Sequence, residues 1–319
     1  MEILKSNKSR FRQYLEGKGL AQRTQNAYIA NTGLFFEWAG KEDIQVTKPD
    51  VLRYLEHLKS KGLQNVTRHN HIIALNHYFT HLYSTEQAAE NPCLLLKIRG
   101  KYKKKLHKIY TPEELEQLFD AYYQLFVRNY DDSRHRHEAQ KQYAALGRER
   151  NALILSILIN QGVITREIDR IETGDIDLIK ATLKIRGGKR LKERVLPLKA
   201  SQMGLLMHYL QNTRPKLAEY RTTESNKLFL PLPAIGKKKT DGDTLNSIFF
   251  TLTPAIKTID RQFFNFQQVR ASVITFWIKT HGLRKAQHMA GHSAITTTEK
   301  YLPNDLEGLT NDISKLHPF

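Results

Sequence analysis

The sequence predicts a mainly α-helical chain with one small antiparallel β-sheet, arranged in two domains, on three observations. Apolar residues recur at helical spacing through the first hundred positions. Three short strand-like runs cluster between positions 174 and 198. Between these regions, residues 97–108 carry seven basic side chains and no acidic one, a stretch that cannot pack on itself and reads as an exposed linker. A length of 319 residues suits about two domains with cores of their own.

Composition narrows the function classes. Lys and Arg number 50 against 32 Asp and Glu, a net charge of +18, which points to a polyanionic partner, most often nucleic acid. A hydrophobic fraction of 40% argues against wholesale disorder. The single cysteine, Cys93, excludes an intrachain disulfide framework and a multi-cysteine zinc site. The longest apolar run, 152–159 (ALILSILI), is about half of what a bilayer requires. The N-terminal MEILKSNKSR has no signal-peptide core, so the expected location is cytoplasmic, with no membrane partner.

The expected boundaries are 1–98 for a helical domain, 99–109 for the basic linker and 110–319 for the second domain. In the first, residues 20–39 carry Tyr28, Phe35, Phe36 and Trp38 in a loosely helical rhythm. Thr47 reads as an N-cap whose hydroxyl satisfies an orphan amide, followed by Val51, Leu55 and Leu58 on one face and a stop at Gly62. A further helix spans about 67–82, with Ile72, Leu75, Phe79 and Leu82 in register. In the linker set, Lys97, Arg99, Lys101, Lys103, Lys104, Lys105 and Lys108 read as a strap across a phosphate backbone. The second domain opens on Thr111-Pro112-Glu113-Glu114, a capping box with proline in the first turn. Residues 128–150 read as a polar, exposed excursion before a buried helix at 151–160. Strands are expected at 174–178, 181–187 and 193–198, with a charged tip, Gly188-Lys189-Arg190, between the last two. From about 244 the pattern is helical again, ending in a helix near 306–316.

The stretch MAGHSAITTTEKY, Met289 to Tyr301, resembles the C-terminal pattern of the tyrosine recombinase (phage integrase) family, in which a Gly-His pair precedes a tyrosine nine positions on from the histidine. Here that pair is Gly291-His292. Upstream, Gln267-Gln268-Val269-Arg270-Ala271-Ser272 is similar to the family's H-x-L-R-H-S/T box, with Arg270 on its arginine. The block 162–198 resembles the family's GLRISEL…DID…GKGNKERxVPL. In register there are Gly162, Glu167, Asp175, Asp177, Lys189, Lys192, Glu193, Arg194 and Pro197. The likeness covers nearly the whole chain, the N-terminal region resembling the family's core-binding (SAM-like) domain.

The resemblance implies a C-shaped DNA clamp and a strand breaking-and-rejoining enzyme that needs no cofactor, neither metal nor ATP. Tyr301 would attack a phosphodiester and form a 3′-phosphotyrosyl bond. Arg270 would grip the phosphoryl oxygens, since a guanidinium stays cationic and presents a fork. His292 would hydrogen-bond a phosphoryl oxygen, and Lys189 would protonate the leaving 5′-oxygen. Arg190 beside it belongs with the DNA-binding residues. A phenol with a reference pKa near 10 needs a proton acceptor or a cationic setting. The partner implied is double-stranded DNA with inverted half-sites, bound by a dimer and recombined in a tetramer, with related recombinases as further partners and the nucleoid as the place.

Two positions depart from the family. Ile164 stands where the family has its first arginine, and three outcomes are open: Arg186 substitutes from the hairpin, Arg166 substitutes from two residues on, or nothing does. Gln267 stands where the family has histidine; it can hydrogen-bond a phosphate or Tyr301 but cannot take a proton. These departures support a rival reading, a relative that binds DNA as a regulator or partner subunit without cutting it. A metal-dependent nuclease is disfavoured because no compact carboxylate cluster is evident. His77 and His81, at i and i+4, lack the glutamate of HExxH and read as surface or DNA-facing histidines. Gly187-Gly188-Lys189 lacks the spacing of a phosphate-binding Walker loop.

Overall fold

A computed structural model describes residues 2–41, 43–100, 108–131, 133, 138–188, 191–233 and 246–302. The chain divides into two compact units, Met1–Lys105 and Leu106–Phe319.

In the first unit, helices α1 (Glu2–Gly17), α2 (Gln22–Ala39), α3 (Lys48–Ser60) and α4 (Asn65–Ser84) each bury one face. Phe11, Leu15, Phe35, Val51, Tyr54, Leu75 and Phe79 form the centre of the shared core. Thr47 is the N-cap of α3, but its hydroxyl does not accept an amide as expected. Asp50 does the capping: its Oδ2 accepts the Thr47 N–H at 2.9 Å and the Thr47 hydroxyl at 2.7 Å. His77 and His81 are not presented to solvent as a pair. The His77 ring stacks on Tyr28 with centroids 5.3 Å apart, and buried His81 packs against Tyr14 at 5.0 Å.

The second unit is built around α6 (Glu138–Gln161), in which every residue from 151 to 159 is buried. This helix begins well before position 151. The stretch expected as an exposed excursion is helical from 138 onward and sinks Leu146 and Arg150 into the unit. Around it lie α5 (Pro112–Tyr123), α7 (Thr165–Ile168), α8 (Ala200–His208), α9 (Arg214–Ala218), α10 (Asn246–Ile259), α11 (Phe266–Ala290) and α12 (Ile295–Glu299). The Thr111 capping box at the head of α5 forms reciprocally: Thr111 Oγ1 accepts from the Glu114 amide at 3.2 Å, and Glu114 Oε2 accepts from the Thr111 amide at 2.9 Å.

The sheet is antiparallel, in the order β1 (Ile176–Asp177), β2 (Thr182–Ile185), β3 (Arg194–Pro197). Leu183 pairs with Leu196 and Ile185 with Arg194. Because side chains alternate along a strand, Leu183, Ile185 and Leu196 enter the core while Val195 faces outward. Arg194 shares the inward face. No described helix is long and apolar enough to cross a membrane. The expected helix near 306–316 lies outside the described residues.

Candidate active site

Three elements converge on one pocket. Helix α11 carries Arg270 one turn in from its N-terminus, where Asn265 caps the helix by accepting the Gln267 and Gln268 amides. The helix kinks at Gly282 and ends at Gly291, in the left-handed conformation at φ 72°. His292 follows at once, and α12 then brings the chain round to Tyr301. The third element is the β2–β3 hairpin. Gly188 and Leu191 pair with each other, Leu191 pairs with His292, and the Lys192 amide donates to the Gly291 carbonyl at 2.7 Å.

Position 291 must be glycine. Besides the left-handed backbone, which costs a residue with a Cβ, a Cβ there would lie 2.6 Å from Arg194 Nη1 and 2.9 Å from the Lys192 carbonyl oxygen. This absence of a side chain lets the hairpin and the α11 terminus meet.

Arg270 is buried, and three hydrogen bonds engage its two Nη atoms. Nη1 donates to the Gly162 carbonyl at 2.5 Å, and Nη2 donates to the Ala290 carbonyl at 2.8 Å and to His292 Nε2 at 3.0 Å. Since a guanidinium can only donate, His292 Nε2 accepts. The neutral ring therefore carries its proton on Nδ1, which faces Thr298 Oγ1 at 2.9 Å. Burial, together with the Arg270 and Arg194 charges, pushes the His292 pKa down to about 4. Half-buried Tyr301 lays its ring parallel to the imidazole, centroids 5.9 Å apart and planes 10° apart. Burial lowers the Arg270 pKa, while Glu167 and Tyr301 favour its cationic form.

Behind Arg270 sits Glu167, in the short helix α7. Its Oε2 accepts the Ile164 amide at 2.9 Å, and Arg194 grips both its oxygens, at 2.6 and 3.1 Å. Arg194 Nε donates to the Met289 carbonyl at 2.7 Å.

The residues expected at the site are not all gathered there. Arg270, His292 and Tyr301 are together. Arg186, expected as one stand-in for the arginine absent at Ile164, is instead held by carboxylates: Nη1 and Nη2 by Glu172 at 2.6 and 2.7 Å, and Nε by Asp175 at 2.9 Å. Arg166 is exposed on α7, and Ile164 is half-buried. Gln267 is exposed in the first turn of α11, whereas its neighbour Gln268 is buried and accepts the Phe264 amide at 2.7 Å. Among the strap residues, Lys97 and Arg99 are exposed. The Lys108 ammonium pairs with Glu114 at 2.8 Å. Lys101, Lys103, Lys104, Lys105, Lys189 and Arg190 lie outside the described residues. Among the described residues, no three His, Cys, Asp or Glu side chains are grouped to hold a metal. Sequence reasoning missed Thr298, fully buried as the partner of His292. Its signal was its place three residues before Tyr301 on a short helix, where side chains share a face.

The sequence pattern of the phage integrase family matches residues 135–307, more than half of the chain. The chain belongs to the phage integrase family. A phage integrase N-terminal SAM-like domain matches residues 9–89. Curated relatives include the tyrosine recombinase XerC of Chlorobaculum parvum, 25% identical over 94% of this chain and 90% of its own length. That of Bacillus licheniformis is 26% identical over 97% and 95%. The fold is shared with the XerH site-specific recombinase bound to a palindromic difH substrate (TM-score 0.68, 20% identity, 94% of this chain and 82% of that one). It is also shared with a lambda integrase dimer bound to a core site (TM-score 0.62, 14% identity, 94% and 95%).

Proposed function

We propose that this family member is a site-specific tyrosine recombinase that cleaves and rejoins double-stranded DNA through a 3′-phosphotyrosyl intermediate. The observation that carries the reading is the Arg270–His292–Tyr301 assembly: a buried guanidinium, a neutral imidazole and a phenol stacked over it, within family boundaries.

The chemistry follows from these groups. Tyr301 Oη attacks phosphorus, the bond to the 5′-oxygen breaks, and that oxygen takes a proton, a role the family resemblance gives to Lys189. The pentacoordinate phosphorus gains negative charge, which Arg270 offsets when its fork turns from carbonyl oxygens to phosphoryl oxygens. With Arg270 so turned, His292 Nε2 is released as an acceptor, and it donates to a phosphoryl oxygen only once the ring proton sits on Nε2. The backbone-bond energy is kept in the phosphotyrosyl ester, so rejoining needs no ATP.

The finer reading is a branch that works without an arginine at position 164, on inverted half-sites, as dimers joined into a tetramer, with the basic residues Lys97–Lys105 and Arg190 on the phosphate backbone. Solved relatives on a palindromic substrate, as a dimer on a core site and as a tetramer on a Holliday junction support this assembly. The test is a nicked suicide duplex carrying the sequence that the protein enriches from random DNA. A covalent adduct with wild type that is absent with Tyr301→Phe is the expected result. Specific binding with no adduct under any condition would overturn the proposal in favour of a non-cutting DNA-binding regulator.

A further inference from the structure

Glu167 is the common neighbour of two buried guanidiniums. Arg194 approaches its two oxygens at 2.6 and 3.1 Å, whereas Arg270 Nη1 stops 3.8 Å from Oε2. All three side chains are at least nine-tenths buried: 0% exposure for Arg194, 3% for Glu167 and 6% for Arg270. One carboxylate cannot neutralise two cations, so the division of its contacts decides which guanidinium keeps its charge. The shorter, two-pronged contact goes to Arg194, and bidentate pairs of this kind are the strong ones.

Arg194 is itself fixed from two other directions. It lies on β3, opposite Ile185, and its Nε is anchored on the Met289 carbonyl, two residues before Gly291. Its Nη1 occupies the space a Cβ at position 291 would need. Glu167 is likewise steered, because Oε2 is already accepting the Ile164 amide. Nothing in this arrangement brings the carboxylate closer to Arg270, although 3.8 Å is near enough for a side-chain rotation to close the gap.

We propose that Arg194 is a positioning residue for the recombination chemistry: by taking both oxygens of Glu167 in short contacts it holds that carboxylate 3.8 Å from Arg270, beyond hydrogen-bond distance, so that Arg270 meets the scissile phosphate with its charge only partly compensated. This rests on the recombinase reading above. Without Arg194, a buried carboxylate would be left beside a single cation, and the strong penalty on an unpaired buried charge would drive Glu167 onto Arg270. Phosphate would then compete with an internal anion for the same fork.

The experiment compares wild type, Arg194→Met and the double variant Glu167→Gln/Arg194→Met on the nicked suicide duplex, with folding checked by circular dichroism and DNA affinity measured in parallel. Arg194→Met should lower the rate of adduct formation about tenfold or more, with DNA affinity changed only a few-fold. Adding Glu167→Gln removes the competing anion and should restore the rate to within a few-fold of wild type. A residue that only glues the hairpin to the α11 terminus predicts the opposite, since a second loss at the same contact cannot repair the first. Should Arg194→Met fail to fold, Arg194→Lys takes its place: its single ammonium leaves one carboxylate oxygen for Arg270, so the rate falls and Glu167→Gln again raises it. An adduct from wild type without rescue in the double variant overturns this inference alone. No adduct from wild type on a duplex it binds specifically overturns the recombinase reading and this inference with it.

Discussion

His292 Nε2 accepts from Arg270 while the ring proton on Nδ1 faces Thr298, so protonating this imidazole would set two donors against each other inside a buried pocket. Burial, reinforced by the Arg270 and Arg194 charges, lowers its pKa to about 4, against an unperturbed value near 6.5. The sign of the linkage follows. Between those two values the unfolded chain binds a proton that the folded chain refuses, so stability rises with pH across the window. The contribution is fully present above about pH 6.5 and is lost as pH falls toward 4. Thermal melts of wild type and His292→Gln from pH 7 to 4 should therefore diverge, with the wild type losing more; parallel curves would show that the imidazole is not held neutral. That His292 and Tyr301 come together was legible in the sequence through their spacing of nine. The tautomer was not, because it is set by Arg270 and by Thr298, and only the folded pocket brings Arg270 to the ring.

Local pairings were read more securely than those that needed the rest of the chain. The Thr111 box formed as expected because both partners sit within one turn. At Thr47 the position of the cap was legible but its mechanism was not, since Asp50 three residues on is the stronger acceptor and takes both the amide and the hydroxyl. Asp50 also draws in Lys41 and Arg53, and the hydrogen bonds of Lys41 and Thr47 hold its carboxyl well below the usual range. Those two cations are partly exposed and would rehydrate if Asp50 were removed, so the cost of Asp50→Ala is mainly that of a lost cap, about 1–2 kcal/mol. Urea unfolding followed by Trp38 fluorescence, in a Trp277→Phe background that leaves one reporter, measures it; no shift in midpoint would mean that α3 does not depend on its cap. The start of α6 was misplaced for the reverse reason. Residues 138–150 look polar in sequence, yet Arg150 is buried by donating to the Leu230 carbonyl, 80 positions away. Gly291→Ala tests the opposite end of the site. Its left-handed backbone and the 2.6 Å approach to Arg194 Nη1 together predict a loss of about 2–4 kcal/mol, read as a lowered urea midpoint. A neutral Gly291→Ala would mean that the hairpin and the α11 terminus do not meet as described.

At the scale of the whole molecule, +18 is not uniformly available for binding. Several cations of the second unit are committed internally: Arg186 to Glu172 and Asp175, Arg194 to Glu167, Lys108 to Glu114 and Lys199 to Glu116. Charge counting along the sequence cannot separate these from the cations that meet DNA, because each pairing joins residues brought together by folding. Affinity and chemistry should accordingly rest on different residues. Binding to duplex DNA is expected to weaken linearly in log affinity against log salt, with a slope of about −0.9 for each phosphate neutralised. Arg270 is a single, buried contributor to that sum, so Arg270→Ala should change the slope by no more than about one. The same substitution should cut adduct formation by about 10²-fold or more, since it removes the cation placed where charge develops. Filter binding across a salt series, paired with adduct assays on the nicked duplex, measures both quantities on one preparation. Equal losses in affinity and in chemistry would mean that Arg270 acts as an ordinary backbone contact, and the pocket it shares with His292 and Tyr301 would lose its claim to the reaction.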